Sequence, residues 1–438
     1  MNHCSYTNLP IRDDLAAEIN DVMENPTPDN LAFFGITKKS VLLELESIHF
    51  PRSFPIDIMH CVLQNITPMI FKIWNPLQES GAKHMFKQNS SLEHIGLAMA
   101  NSAAEIPSYL GHAPRRIDKN HGGFKAAEWK AWLLYYAAPL LNQHLDEKYV
   151  ANIRKLGRIF ALATKWQMSK EDCQQVASLC VQFVKEYEEL YYRGEENNLP
   201  NCRINIHSLL HLGQYIKDCG PACYWWQFVM ERYCGIIKPL ARSKSQLNAS
   251  LSNAIILREH LYNLRFVGYE INIRQIQQPI ELPLLLDEFQ PSLKATEYAF
   301  QQARNISSLR GDSNVCLTVD DVQLRTFKRC QLRKDLIIGS VESQRRSDFN
   351  RNDSRICFRT SECEALKYGE VQYFTTATYV RGQWAFIKQF TRLVVDHNVG
   401  VVSYGAIGCS RSIKVEWIQS LIGIVREGGV NLIVSDVS

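Results

Sequence analysis

The chain has 438 residues, 46% of them hydrophobic and 21% charged, with a formal net charge of +4. That length holds two or three domains with proper cores, and the composition is that of a globular chain rather than a low-complexity one. So small a positive charge excludes nucleic-acid binding over the whole surface and confines any such contact to local patches.

The N-terminus, Met1-Asn-His-Cys-Ser-Tyr6, lacks a basic region followed by an apolar run, which predicts no signal peptide. No window approaches 18 uncharged apolar residues, so no membrane span is expected. The 13 cysteines are odd in number and form no CxxC pair, the usage of reduced thiols in a nuclear or cytoplasmic protein, not a secreted one.

Residues 1–50 read as a polar lead-in, broken at Asn25-Pro-Thr-Pro28. Residues 51–270 read as a helical domain. Phe124, Ala127, Ala131, Leu134 and Ala138 recur on a helical period before Pro139, and Ile153, Leu156, Phe160 and Ala163 repeat it. Ser169-Lys-Glu-Asp172 is a capping-box-like start. Behind it Val176, Cys180, Phe183, Tyr187 and Leu190 form one apolar stripe. Ala254, Leu257, Leu261 and Leu264 predict a last helix of the same kind. Pro279, Pro283 and Pro291 mark a linker over 271–330, with a short helix near 292–306.

Residues 331–438 read as a small, mainly β, barrel-like domain. Val371, Tyr373, Thr375, Ala377 and Tyr379 alternate on a strand period, Arg381-Gly382 offers a turn, and β-branched runs follow at 393–395, 399–402 and 430–434. The expected fold class is therefore α+β, a mainly helical bundle followed by a β domain.

Two stretches carry chemistry. In Phe54-Pro-Ile-Asp-Ile-Met-His60, Asp57 and His60 stand three residues apart, which on a helix is one face. An Asp opening an apolar helix is also an ordinary N-cap. In Phe228-Val-Met-Glu-Arg-Tyr-Cys-Gly-Ile-Ile-Lys238, Glu231 sits among aromatic and basic residues, either a site acid or a surface partner of Arg232 or Lys238. His207-Ser-Leu-Leu-His211 is an i, i+4 histidine pair in an apolar setting, without the Glu of a zincin helix. Cys219-Gly-Pro-Ala-Cys223 has a turn's composition and the wrong spacing for a zinc knuckle. Arg115, Arg116 and Lys125 surround Gly122-Gly123, a phosphate loop or a solvated basic one. Between Arg325 and Arg359 ten Lys/Arg, including Lys328, Arg329, Arg333, Lys334, Arg345 and Arg346, face four acids. Such an excess neutralises several phosphates or belongs to a solvated linker.

In order and spacing these stretches resemble the back half of fungal-like transposases of the CACTA (En/Spm) type. The resemblance rests on the Asp-x-Met-His element at 57–60 and on Pro107-Ser-Tyr-Leu-Gly111 with Pro114-Arg-Arg116. It continues through Gly122-Gly-Phe-Lys-Ala-Ala-Glu-Trp129, Asn205-Ile-His207, Asp218-Cys-Gly-Pro221 and the Glu231 segment. It covers about residues 35–265, and only the order of its motifs is specific. It implies part of an RNase H-like core with its helical insertion, and Glu231 as the third acid of a DDE triad. Asp57 and His60 become an auxiliary motif, and Arg232 and Lys238 join the DNA contacts.

Such a triad holds two Mg²⁺ ions about 3.5–4 Å apart, which activate a nucleophile and steady the leaving oxygen. The family's first two acids are expected upstream of Asp57, and Asp13, Asp14 and Asp21 have the wrong context for them. The resemblance therefore implies a truncated or degenerate transposase without independent catalysis, binding no Mg²⁺ tightly. A DNA- or protein-binding module reused from a transposase is the alternative. Oligomeric state is unspecified.

Overall fold

The structure is a computed structural model that describes residues 6, 15–24, 26–75, 85–241, 245–267, 283–289, 324–333, 336–344, 351–361, 364–377, 380–396 and 401–435. The chain is mixed α+β, with an antiparallel sheet in its C-terminal part. Sequence texture puts boundaries near 50, 270 and 330, but packing does not group the chain in that order. One compact unit joins Met1–Met85 to Ala151–Ile255, and the other joins Phe86–Val150 to Ile256–Ser438.

The first unit is helical among the described residues. A wide-turned helix over Met59–Ile66 runs directly into the helix Thr67–Trp74. Ile58, Met59, Val62, Leu63, Ile66, Ile70, Phe71 and Trp74 are all buried. Trp74 donates its indole N–H to the Tyr191 hydroxyl at 3.1 Å, so its polar atom is satisfied inside the core. Ser169 caps the helix Lys170–Tyr187 as its sequence predicts: the Asp172 N–H donates to the Ser169 hydroxyl, and the Ser169 N–H to the Asp172 carboxylate, both at 3.1 Å. Val176, Cys180, Phe183 and Tyr187 are the buried stripe, joined by Ile153, Leu156, Phe160 and Ala163. The helix Leu212–Cys219 lies so close to this one that a Cβ on Gly213 would stand 2.7 Å from the Ala177 Cβ. Only glycine permits that approach.

Two predicted stripes differ. Over 124–138 the buried face is Ala126, Trp129, Trp132, Leu133, Tyr136 and Ala137, not the expected set. A wide π-type turn at Trp132–Tyr136 shifts the phase of the helix there. In the helix Leu247–Val267, Leu257 is 60% exposed rather than buried, and the side chains of Leu261 and Leu264 lie outside the described residues.

Among the described residues the second unit holds nine strands, all paired antiparallel. They are β1 (Leu284–Phe289), β2 (Leu324–Arg333), β3 (Leu336–Ile338), β4 (Arg355–Phe358) and β5 (Lys367–Ala377), then β6 (Val380–Asp396), β7 (Val401–Lys414), β8 (Ile418–Glu427) and β9 (Val430–Ser435). The pairings β5–β4–β8–β9–β7–β6–β5 form a closed ring of six strands. β2 lies on the remaining edge of β5, Leu324–Phe327 against Phe374–Ala377, and carries β1 and β3. A closed ring removes the open edges that a sheet otherwise exposes. Ile356 and Phe358 enter one apolar cluster and Cys357 the other, so both faces of the sheet are covered.

The expected turn at Arg381-Gly382 lies inside β6, because Ala377 pairs with Val380. The predicted linker contains β1. The predicted helix near 292–306 lies outside the described residues.

Residues 104–111 are tied to the start of β4. The Arg351 guanidinium donates to the carbonyls of Ile106 (2.7 Å), Pro107 (2.9 Å) and Gly111 (2.6 Å). Ile106 in turn presses on Gly423, where a Cβ would lie 2.5 Å from its Cδ1. Replacing Arg351 by Ala removes three charge-assisted bonds, and an expected loss of about 2–4 kcal/mol in denaturant unfolding checks this clasp.

Candidate functional site

Asp57, at the start of the Met59–Ile66 helix, and Glu231, in the helix Phe228–Ile237, lie in the first unit and are brought together across the chain. The Asp57 carboxylate is the hinge. Its Oδ1 accepts the Met59 N–H at 3.2 Å and the Gln227 N–H at 3.0 Å. Its Oδ2 accepts the His60 N–H at 3.1 Å and bonds His60 Nδ1. One carboxylate thus sits at two helix N-termini, where orphan N–H groups and the helix dipole both favour a negative charge. Asp57 therefore caps the start of the Met59–Ile66 helix.

His60 Nδ1 is held by Asp57, and its Nε2 stands 3.6 Å from Glu231 Oε1. The imidazole occupies the gap between two carboxylates. When protonated it donates to both sides and bridges them. When neutral, with Nδ1–H on Asp57, it presents an oriented Nε2 that accepts a proton. Its neighbour Cys61 takes no part: burial, and behind it the Asp57 charge, push that thiol up to about 12, and its Sγ faces the Asn205 carbonyl at 3.5 Å.

The full triad of the family would hold a magnesium pair, and the donor set at Asp57, read above as auxiliary, does not fit such a pair. A carboxylate offers about four lone-pair positions. All four at Asp57 accept from nitrogen, and the imidazole fills the space toward Glu231. Glu231 itself is 55% exposed and remains a single carboxylate on that side. Among the described residues no group of three His, Cys, Asp or Glu stands in metal-ligating geometry.

The basic candidates divide by whether acids already engage them. In the second unit Arg115 donates from Nη2 to Glu128 at 2.8 Å and to the Gly123 carbonyl at 3.2 Å, with its guanidinium over the Phe124 ring. Partial burial pushes Glu128 up, but hydrogen bonds from Arg115 and from the Lys125 N–H hold it below the usual carboxylate range. Arg116 forks onto Asp118 at 2.6 and 3.1 Å. On β2, Arg325 forks onto Glu288 and Arg329 bonds Asp287, both acids of β1. Arg333 reaches the Tyr109 hydroxyl at 3.5 Å, Arg355 pairs with Glu105, and Lys328 is half-buried. Lys334, Arg345 and Arg346 lie outside the described residues.

Arg232 and Lys238 differ from these. Both are exposed beside Glu231, and among the described residues neither makes an ion pair. What the sequence alone did not reveal is the Gln227 N–H, whose bond to Asp57 docks the Glu231 helix; a backbone donor leaves no residue signature.

Comparison with protein-family models, with curated proteins and with solved structures finds no match to this chain. Among the described residues no helix is long and apolar enough to cross a membrane.

Proposed function

We propose that this chain is a degenerate DDE-type transposase of CACTA descent that binds duplex DNA through the Glu231 helix and does not itself cut strands. The observation that supports it is the meeting of Asp57, His60 and Glu231, the elements that carry the family resemblance, across 170 residues of sequence. On this reading the Phe228–Ile237 helix corresponds to the last helix of an RNase H-like core, and the helices before it to that core's insertion. Arg232 and Lys238, which make no ion pair among the described residues, are available to phosphates. A nuclear place of action follows from such a role.

Fluorescence anisotropy with a labelled duplex at several salt concentrations tests it. The wild-type chain should retain DNA with a log–log salt slope that falls by about 2 when Arg232 and Lys238 are both changed to Ala. Changing Arg325 and Arg329, which are already paired, should leave the slope nearly unaltered. Glu231→Gln should keep retention and show no change in Mg²⁺-dependent nicking of supercoiled DNA, which stays at background in both proteins. Nicking that Glu231→Gln abolishes would overturn the non-cutting part. An unchanged slope in the Arg232/Lys238 variant would overturn the DNA contact.

A further inference from the structure

The histidine pair at 207 and 211 plays no part in the reading above, and its geometry is informative. The segment that carries it is firmly seated: Ile206, Leu209 and Leu212 are buried, while His207 is exposed and His211 half-buried on the outer side. The chain passes from the short helix Ile204–Ser208 through a tight turn at Leu209–His211 into the helix Leu212–Cys219. The two rings stand 5.2 Å apart between centroids and are inclined at 68°. Their Nε2 atoms lie 3.3 Å apart.

Two nitrogens at 3.3 Å, each about 2.0–2.1 Å from a common ion, subtend about 104–111° at that ion. That is the tetrahedral angle. The spacing of the two nitrogens therefore matches the bite of a chelate.

We propose that His207 and His211 form a two-imidazole site for a borderline transition-metal dication of the zinc and copper class, with water completing the coordination. Imidazole nitrogen selects such ions over magnesium or calcium, which prefer oxygen. The site is separate from the Asp57–His60–Glu231 group and stands or falls independently of the DNA-binding reading. The competing account of the same distance is one Nε2–H donating to the other Nε2, with no ion involved.

Zinc chloride titrated into the full, reduced, chelator-treated chain distinguishes the two. Calorimetry should give a first equivalent of Zn²⁺ whose affinity falls by at least about tenfold in His207→Ala and again in His211→Asn, ligand loss being no milder than loss of a ligand's supporting partner. His112→Ala, which removes an exposed histidine of the other unit, should leave that equivalent unchanged. In spectra of nitrogen-labelled histidine the two Nε2 signals should shift together on adding Zn²⁺. His207 is exposed, so its variant keeps the fold and the measurement is decisive. Zinc affinity equal in wild type and His207→Ala, or ring signals that do not move with Zn²⁺, would overturn the proposal in favour of the hydrogen-bonded pair.

Discussion

Asp57→Ala should destabilise the first unit by about 2–5 kcal/mol and weaken duplex retention at the same time. The stability figure combines a lost N-cap, about 0.5–2 kcal/mol, with a lost hydrogen bond from Gln227 to a charged acceptor, about 1.5–3 kcal/mol. The DNA effect has a different cause. The carboxylate ties the N-terminus of the Phe228–Ile237 helix to the start of the Met59–Ile66 helix through the Gln227 N–H, and Arg232 lies on the former with Lys238 at its C-terminal end. Asp57→Asn separates the contributions. Its amide oxygen still accepts from Met59 and Gln227, but its NH₂ group faces the His60 N–H groups that Oδ2 now accepts. Stability should fall by less than in the Ala variant, with most DNA retention kept. Urea unfolding followed by tryptophan fluorescence, together with the anisotropy assay, reads both. A midpoint for Asp57→Ala within about 0.5 kcal/mol of wild type, the range of an ordinary surface change, would show that the carboxylate fastens nothing.

His144→Ala should cost the second unit more, about 3–5 kcal/mol, because it strands a buried charge. Glu427, at the end of β8, is 8% exposed, and His144 Nε2 meets its Oε1 at 2.6 Å. The other oxygen, Oε2, has no hydrogen-bond partner among the described residues. Removing the imidazole leaves a carboxylate without a counter-group in a site that water barely reaches. The physical cause predicts an asymmetry. Glu427→Leu combined with His144→Leu removes both partners and keeps an apolar volume, so the double variant should lie close to wild type and well above His144→Ala. Urea midpoints for the three proteins decide it. A double variant as unstable as the single one would mean that the pair acts through shape rather than charge.

Much of the architecture is readable from residues alone, and the exceptions have identifiable causes. The capping box at Ser169 and the stripes at 153–163 and 176–187 appear where expected, because helix phase and capping depend on neighbours within four residues. The stripe at 124–138 is displaced along its whole length: Ala126 and Trp129 are buried in place of Phe124, Ala127 and Ala131 before the wide turn at Trp132–Tyr136 is reached, and that turn alters the phase again. Alternation at 371–377 correctly marks β5, yet Phe374 is as buried as Val371, since a register shift lies between Val371 and Tyr373 and both faces of the sheet are covered. The basic stretch at 325–359 reads as a charge excess in sequence. In the fold Arg325 and Arg329 face Glu288 and Asp287, acids some 40 residues upstream that the excess did not count.

The sequence by itself determined the main helices and several of the strands, and where the chemically useful side chains lie along the chain. Periodicity, capping and turn chemistry are local, and a linear chain displays them. Only the tertiary structure decided that residues 86–150 pack with the C-terminal strands, that six of those strands close into a ring, and that Asp57 and Glu231 share one histidine. Those outcomes depend on which distant surfaces pair. Burial and backbone hydrogen bonds such as that from Gln227 select the pairs, and neither leaves a mark on the residues between them.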